Sequence, residues 1–330
     1  MYAWGGDTTS WRGKGGYDFG SARARYDKLG ASVKSRSYSF SRSPNMDFVD
    51  PKGKTIKSDS EDPLVIAVDV TGSMSSWPGE IFDRLPLLYQ TLAKYKPNLE
   101  ISFAAIGDAT CDNWPLQVND FDKGTNLEAK LKALGCEGGG GGHITESYEL
   151  FGYFMLNHCK IPNATNPFLL IFGDEAPYKQ VDQRQVEHYI GDTLQNPLKS
   201  KEMWDKLLQK FNVYFLQKPY GSGVYTGTTN EVKSIWEGSI GGQRIVDLPA
   251  EVDTEDGKIP GEQRAVDIAI GLIAKNWGEY EDFKLSLDAR HDDPTLKSSV
   301  HTSLKHIDDN PPAMSVMVKT GSKLTKSLAD

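Results

Sequence analysis

Leu64-Val65-Ile66-Ala67-Val68-Asp69-Val70-Thr71-Gly72-Ser73-Met74 is the stretch on which the reading of this chain turns. Its first five residues form a short unbroken apolar run, as expected of a strand buried on both faces of a parallel sheet. The run ends in an acid, a Gly/Ser loop follows, and Pro78-Gly79 opens a helix with Ile81, Phe82, Leu85, Leu88 and Leu92 on one face. Pro86 is expected to bend that helix. The same grammar repeats outward. Leu99–Ile106 is a second strand ending in Gly107-Asp108, a shorter apolar segment spans 115–121, and 125–134 reads as helix. After the glycine run Gly138–Gly142, a helix is expected from about Thr145 to His158. Phe168-Leu169-Leu170-Ile171-Phe172 is another fully apolar strand, ending in Gly173-Asp174-Glu175. Residues 181–211 read as mainly helical, Asn212–Leu216 as strand, 230–236 as helix and 244–248 as a weaker strand. Ala265, Val266, Ala269, Ile270 and Ile273 form the stripe of a closing helix. Strands alternating with helices predict an α/β fold with a doubly wound, mostly parallel sheet flanked by helices.

In such sheets ligands sit beyond the carboxyl ends of the strands. Asp69, Thr71 and Ser73 leave the first strand at a spacing of two, so one loop can turn all three oxygens toward one point. A carboxylate and two hydroxyls are hard donors of the kind that Mg²⁺ takes, with Mn²⁺ and Ca²⁺ as alternatives. Gly72 lets the loop turn tightly. The Asp-x-Thr-x-Ser pattern after an apolar strand resembles the metal-ion-dependent adhesion site of von Willebrand factor A domains, which have a Rossmann-like fold. The resemblance covers roughly residues 63–277, and AIGDATCDNWPLQVNDFD, GGGGGHITESYEL and LLIFGDEAPY also resemble uncharacterised bacterial and bacteriophage proteins of this class. It implies a metal held by Asp69, Thr71 and Ser73, by Thr145 from a second loop and by Asp174 from a third. Thr145 falls one place late in a simple alignment, which leaves Glu146, Ser147 or a bridging water as alternatives. Asp108 and Asp112 are read either as orienting metal-bound water or as capping their own loop.

The function that the resemblance implies is a metal-dependent protein–protein interaction module rather than an enzyme. The cation would accept an Asp or Glu carboxylate from the partner, and Trp77 and Trp114 are candidate apolar anchors, each equally readable as core. Family analogy adds a second reading, an adaptor for an AAA+ ATPase of the MoxR type. The enzymatic alternative is a haloacid dehalogenase-like phosphohydrolase acting through Asp69, but Thr71 stands where that chemistry places its general acid. The glycine run lacks the Gly-Lys-Ser/Thr of a P-loop, and Cys136, His143, His158 and Cys159 fit no recurring zinc spacing.

Composition bounds the rest. The chain has 330 residues with a formal charge of −8, yet residues 1–43 hold eight Lys/Arg against three Asp/Glu. An acidic body argues against nucleic-acid binding by the folded part. The basic arm leaves open an RNA-binding, Ro-like reading. Three cysteines form no disulfide framework, no apolar run approaches a bilayer span, and the start carries no signal-peptide core. A soluble, cytoplasmic chain is expected, divided into a basic Gly/Ser/Tyr-rich arm (1–60), the α/β domain (61–278) and a polar C-terminal extension (279–330).

Overall fold

The computed structural model describes residues 43–308, apart from 75–76, 125, 140, 221–226, 251, 255–256, 260 and 292. Residues 1–42 and 309–330, which carry most of the expected basic arm and the polar tail, lie outside the described residues.

Six strands form the central sheet: β1 (Leu64–Asp69), β2 (Ile101–Ile106), β3 (Leu116–Val118), β4 (Phe168–Gly173), β5 (Asn212–Gln217) and β6 (Ile245–Asp247). Their order is β6-β5-β4-β1-β2-β3, with every pair parallel except β2 with β3. The fold is the doubly wound, mostly parallel α/β arrangement that the sequence predicts. Among the described residues, the longer helices that flank it are α1 (Trp77–Tyr95), α2 (Asn126–Ala133), α3 (Tyr148–His158), α4 (Ser200–Leu207), α5 (Gly227–Ile240), α6 (Glu262–Trp277), α7 (Tyr280–Arg290) and α8 (Pro294–Ser303).

The apolar runs become central strands because alternate side chains leave opposite faces and both faces are covered. Ile66, Val68, Leu170, Phe172 and Leu216 pack in one core with Phe82 and Leu88 of α1 and with Ala269 and Ile273 of α6. Val65, Ala67, Leu169, Ile171 and Phe215 pack in the other with Phe151 of α3, Trp204 of α4 and Trp236 of α5. Strand order runs one way from β1 to β2 and the other way from β1 to β4. The switch point therefore lies between β1 and β4, where a crevice opens at the carboxyl ends of a doubly wound sheet.

Several elements differ from expectation. The α1 helix runs unbroken across Pro86. Residues 181–211 are helical only in pieces: a π turn at Val186–Ile190 stops at Gly191, whose φ of 93° is a left-handed conformation, and helix resumes at α4. Residues 43–60 belong to the packed body, since Val49 and Ile56 are fully buried and Ile56–Lys57 pairs with Cys159–Lys160. At the other end, 280–303 forms two helices whose Phe283, Leu287, Leu296 and Val300 join the α6 core. Among the described residues no helix is long and apolar enough to cross a membrane, and all three cysteines are unpaired.

Candidate metal centre

Asp69 is the last residue of β1, and Asp174 follows the last residue of β4. Because β1 and β4 are adjacent and in register, both carboxyls arrive at the switch point, and both are fully buried. The loop after β1 folds into a single 3-10 turn, Gly72–Met74. Asp69 Oδ1 starts that turn by accepting from Thr71 N–H at 2.9 Å and from Thr71 Oγ1 at 2.6 Å. The turn aims Ser73 Oγ across the crevice to donate to Asp174 Oδ1 at 2.8 Å. Thr71 Oγ1 and Ser73 Oγ then stand 3.3 Å apart.

With each hydroxyl hydrogen directed at a carboxylate, both hydroxyl oxygens keep lone pairs for a further partner. An octahedral oxygen shell around Mg²⁺, with bonds of ~2.1 Å, has neighbouring oxygens about 3 Å apart. The spacing and the donor chemistry fit a small hard cation. Among the described residues, no group of three or more His, Cys, Asp or Glu is disposed to hold a metal; the candidate cluster brings together two carboxylates and two hydroxyls.

The loop rests against the backbone of Gly138 and Gly139. Gly72 N–H donates to Gly139 O, and a Cβ on Gly72 would lie 3.0 Å from that oxygen, so glycine is what lets the two backbones meet. Asp112 does the same work one layer back. Its Oδ2 accepts from Asp108 N–H at 2.7 Å, and it packs against Gly107 and Gly139 where a side chain would collide with it. Asp108 accepts from Thr110 and from Tyr178 Oη, and lies 3.3 Å from His143 Nε2. These contacts make Asp108 and Asp112 capping groups of the neighbouring loops.

Of the five residues assigned from sequence, Asp69, Thr71, Ser73 and Asp174 come together in one hydrogen-bonded network. Thr145 does not join it: its hydroxyl lies 3.2 Å from His143 Nδ1. Thr145–Glu146 forms a short parallel ladder with Ala176–Pro177, tying the second loop to the third. The ladder sets Glu146 opposite Pro177; Glu146 and Glu175 are both nearly fully buried, and the Oε2 atom of each meets no donor among the described residues. Burial raises both carboxyls above their ordinary values, and the two share a side-chain hydrogen bond. Glu175 and then Asp69 add to the rise of the Glu146 carboxyl that burial causes. Trp77 is buried in the core beside Gly261 and offers no free anchor, while Trp114 is half-buried.

Two residues of the network escaped the sequence reading. Tyr148, at the start of α3, donates its hydroxyl to Asp69 Oδ2 at 2.5 Å. Lys218 follows β5, and its N–H donates to Gly173 O at 2.8 Å, continuing the β4–β5 pairing by one residue. That step carries its Nζ to 2.8 Å from Asp174 Oδ2. One signal was available for Lys218: like Asp69 and Asp174, it is the charged residue at the carboxyl edge of an apolar strand. Burial and then the Asp174 charge push Asp69 up to about 8, against the hydrogen bonds from Thr71 and Tyr148. Buried acids raised this far seek either protons or a cation.

No protein-family model matches the chain, and no curated protein does. Among solved structures, the pilus adhesin SpaC from Lactobacillus rhamnosus GG in its open conformation is similar over 68% of this chain and 31% of its own, at 11% identity and a TM-score of 0.45. Proximal thread matrix protein 1 from the mussel byssus is similar over 66% of this chain and 48% of its own, at 10% identity and a TM-score of 0.42. The chain thus spans between about a third and a half of the length of these proteins, and similarity at this level carries no functional argument.

Proposed function

We propose that this chain carries a von Willebrand factor A-type domain whose Asp69–Thr71–Ser73–Asp174 centre holds a divalent cation, Mg²⁺ before Mn²⁺ or Ca²⁺, and uses it to grip a carboxylate of a protein partner. The observation that supports this most directly is the pair of hydroxyls, each turned onto a carboxylate from a different strand end, with their oxygens 3.3 Å apart at the switch point. A bound cation would supply an electrophilic position that accepts an Asp or Glu oxygen from outside in place of water. Asp69 and Asp174 provide the negative charge, while Thr71 and Ser73 set the spacing. Tyr148 and Gly139 hold the loop in place before any ligand arrives, which lowers the ordering cost of binding. Such an arrangement serves recognition and release rather than bond making.

Calorimetric titration of metal-stripped protein with Mg²⁺ and Mn²⁺ tests the reading. Saturable one-site binding by the wild type, lost in Asp69→Asn, is the expected result. Binding that survives in Asp69→Asn places the metal elsewhere and ends the proposal. Partner capture should then follow the metal, present in Mg²⁺ and absent in EDTA.

A further inference from the structure

Asp174 already has a cation. Its Oδ1 is taken by the Ser73 hydroxyl and its Oδ2 by the Lys218 ammonium at 2.8 Å. Lys218 is 3% exposed, and a second donor contact, to Pro219 O at 3.1 Å, fixes the same ammonium. A lysine is seldom buried this deeply unless it is paired. Here the partner is a residue of the candidate metal centre itself. The position follows from the backbone, because the Lys218 N–H bond to Gly173 O places the side chain on the edge shared with Asp174.

We propose that Lys218 is the internal counter-ion of this centre: it competes with a divalent cation for Asp174 and makes loading of the metal depend on its withdrawal. The inference rests on the metal reading above and adds its regulation. In the metal-free chain Lys218 neutralises Asp174 and locks the crevice. An incoming divalent cation must share that carboxylate with an ammonium within hydrogen-bonding reach, and with both Lys218 and Asp174 buried, like charges at such range repel strongly. The long lysine stem lets the ammonium swing away when the metal enters. A partner's carboxylate brings a negative charge to the same crevice and offsets the repulsion. Cation and partner therefore load together, each strengthening the other, as linkage requires.

The test is calorimetric titration of the full chain with Mn²⁺, comparing wild type with Lys218→Met and Lys218→Arg. Removing the charge should tighten Mn²⁺ binding tenfold or more, while Lys218→Arg, which keeps the charge, should bind no tighter than wild type. Equal affinity in wild type and Lys218→Met overturns the counter-ion inference and leaves the metal centre standing. No binding by any of the three at millimolar Mn²⁺ overturns the metal centre itself. Lys218→Met also leaves Asp174 buried without its cation, so in EDTA it should melt below wild type and recover more than wild type on adding Mn²⁺. If it folds only with Mn²⁺, that rescue supports the inference. If it does not fold even then, Lys218→Gln, which keeps a donor for Asp174 without the charge, is titrated in its place and judged by the same outcomes.

Discussion

Gly173 and Tyr148 show how one residue makes room for another. A Cβ at Gly173 would lie 2.1 Å from the Tyr148 hydroxyl oxygen, so only glycine at the end of β4 lets that hydroxyl reach Asp69. Tyr148→Phe removes one hydrogen bond to a buried carboxyl and should cost about 1.5–3 kcal/mol in urea denaturation. Gly173→Ala should cost more, since it displaces the ring, loses the same bond and adds overpacking strain of about 1–3 kcal/mol. A Gly173→Ala protein as stable as wild type would show that the ring moves aside freely and that the contact does not hold the centre. The residues that sequence reasoning found at this scale are those that follow an apolar strand within one loop: Asp69, Thr71, Ser73 and Asp174. Tyr148 was not legible because it opens a segment, Tyr148–Met155, that is apolar or aromatic apart from Gly152 and Glu149 and reads as core. Its bond to Asp69 spans 79 residues of sequence. Thr145, which falls one place late in the alignment, stays outside the hydrogen-bonded network, and nothing local to GGHITES announces the ladder with Ala176–Pro177 beside which Glu146 is buried.

At the scale of elements, long periodic segments were legible and short or charged ones were not. The unbroken runs of β1 and β4 and the stripe of α6 declare themselves. The antiparallel direction of β3 does not, because an apolar pattern of three residues carries no orientation. The α7 helix was missed because YEDFKLSLDAR is dominated by charge and, among its residues, only Phe283, Leu287 and Arg290 are buried. Arg290 explains how the helix docks. Asp267 on α6, fully buried, accepts from Arg290 Nη2 at 2.6 Å and from His291 Nε2 at 2.9 Å, so an ionic latch holds the end of α7 against α6. Burial alone would raise the Asp267 carboxyl, but Arg290 and His291 together hold it at about 2. A folded-state value below the ordinary 3.8 means that its stabilisation is fully present above pH 4 and is lost as pH falls toward 2. The loss over that window should be about 2 kcal/mol. Asp267→Asn should remove that part of the acid sensitivity and, at neutral pH, cost about 3–5 kcal/mol by leaving Arg290 buried without its counter-charge. Chemical denaturation at pH 2.5, 4 and 7 reads both. Identical acid profiles for the two proteins would place the sensitivity on other carboxyls.

The whole molecule reaches beyond the boundaries that composition suggests. Polar, charged sequence after 278 reads as an extension, yet Phe283, Leu287, Leu296, Val300, Leu304 and Ile307 are buried in the same core as the β1 and β4 side chains. Six apolar side chains at ~1.5–3 kcal/mol each amount to on the order of 10 kcal/mol. A domain is stable by only about 5–15 kcal/mol in total. A chain ended at residue 278 should therefore fail to fold cooperatively, whatever the quality of its sheet. The consequence reaches the proposed metal centre through two packed helices. Without α7 and α8 the outer face of α6 is bare; α6 packs on α1; and α1 begins just after the Asp69–Met74 loop. The truncated chain should then show a broad, low-temperature melt, elute with aggregates and bind no Mn²⁺. A sharp melt close to that of the full chain, with Mn²⁺ binding retained, would instead establish that residues 61–278 fold alone and that α7 and α8 are an appended layer. The magnitude argues for the first outcome. The apolar area that α7 and α8 cover is too large a share of the core to be replaced by water while the remaining helices hold their register on the sheet.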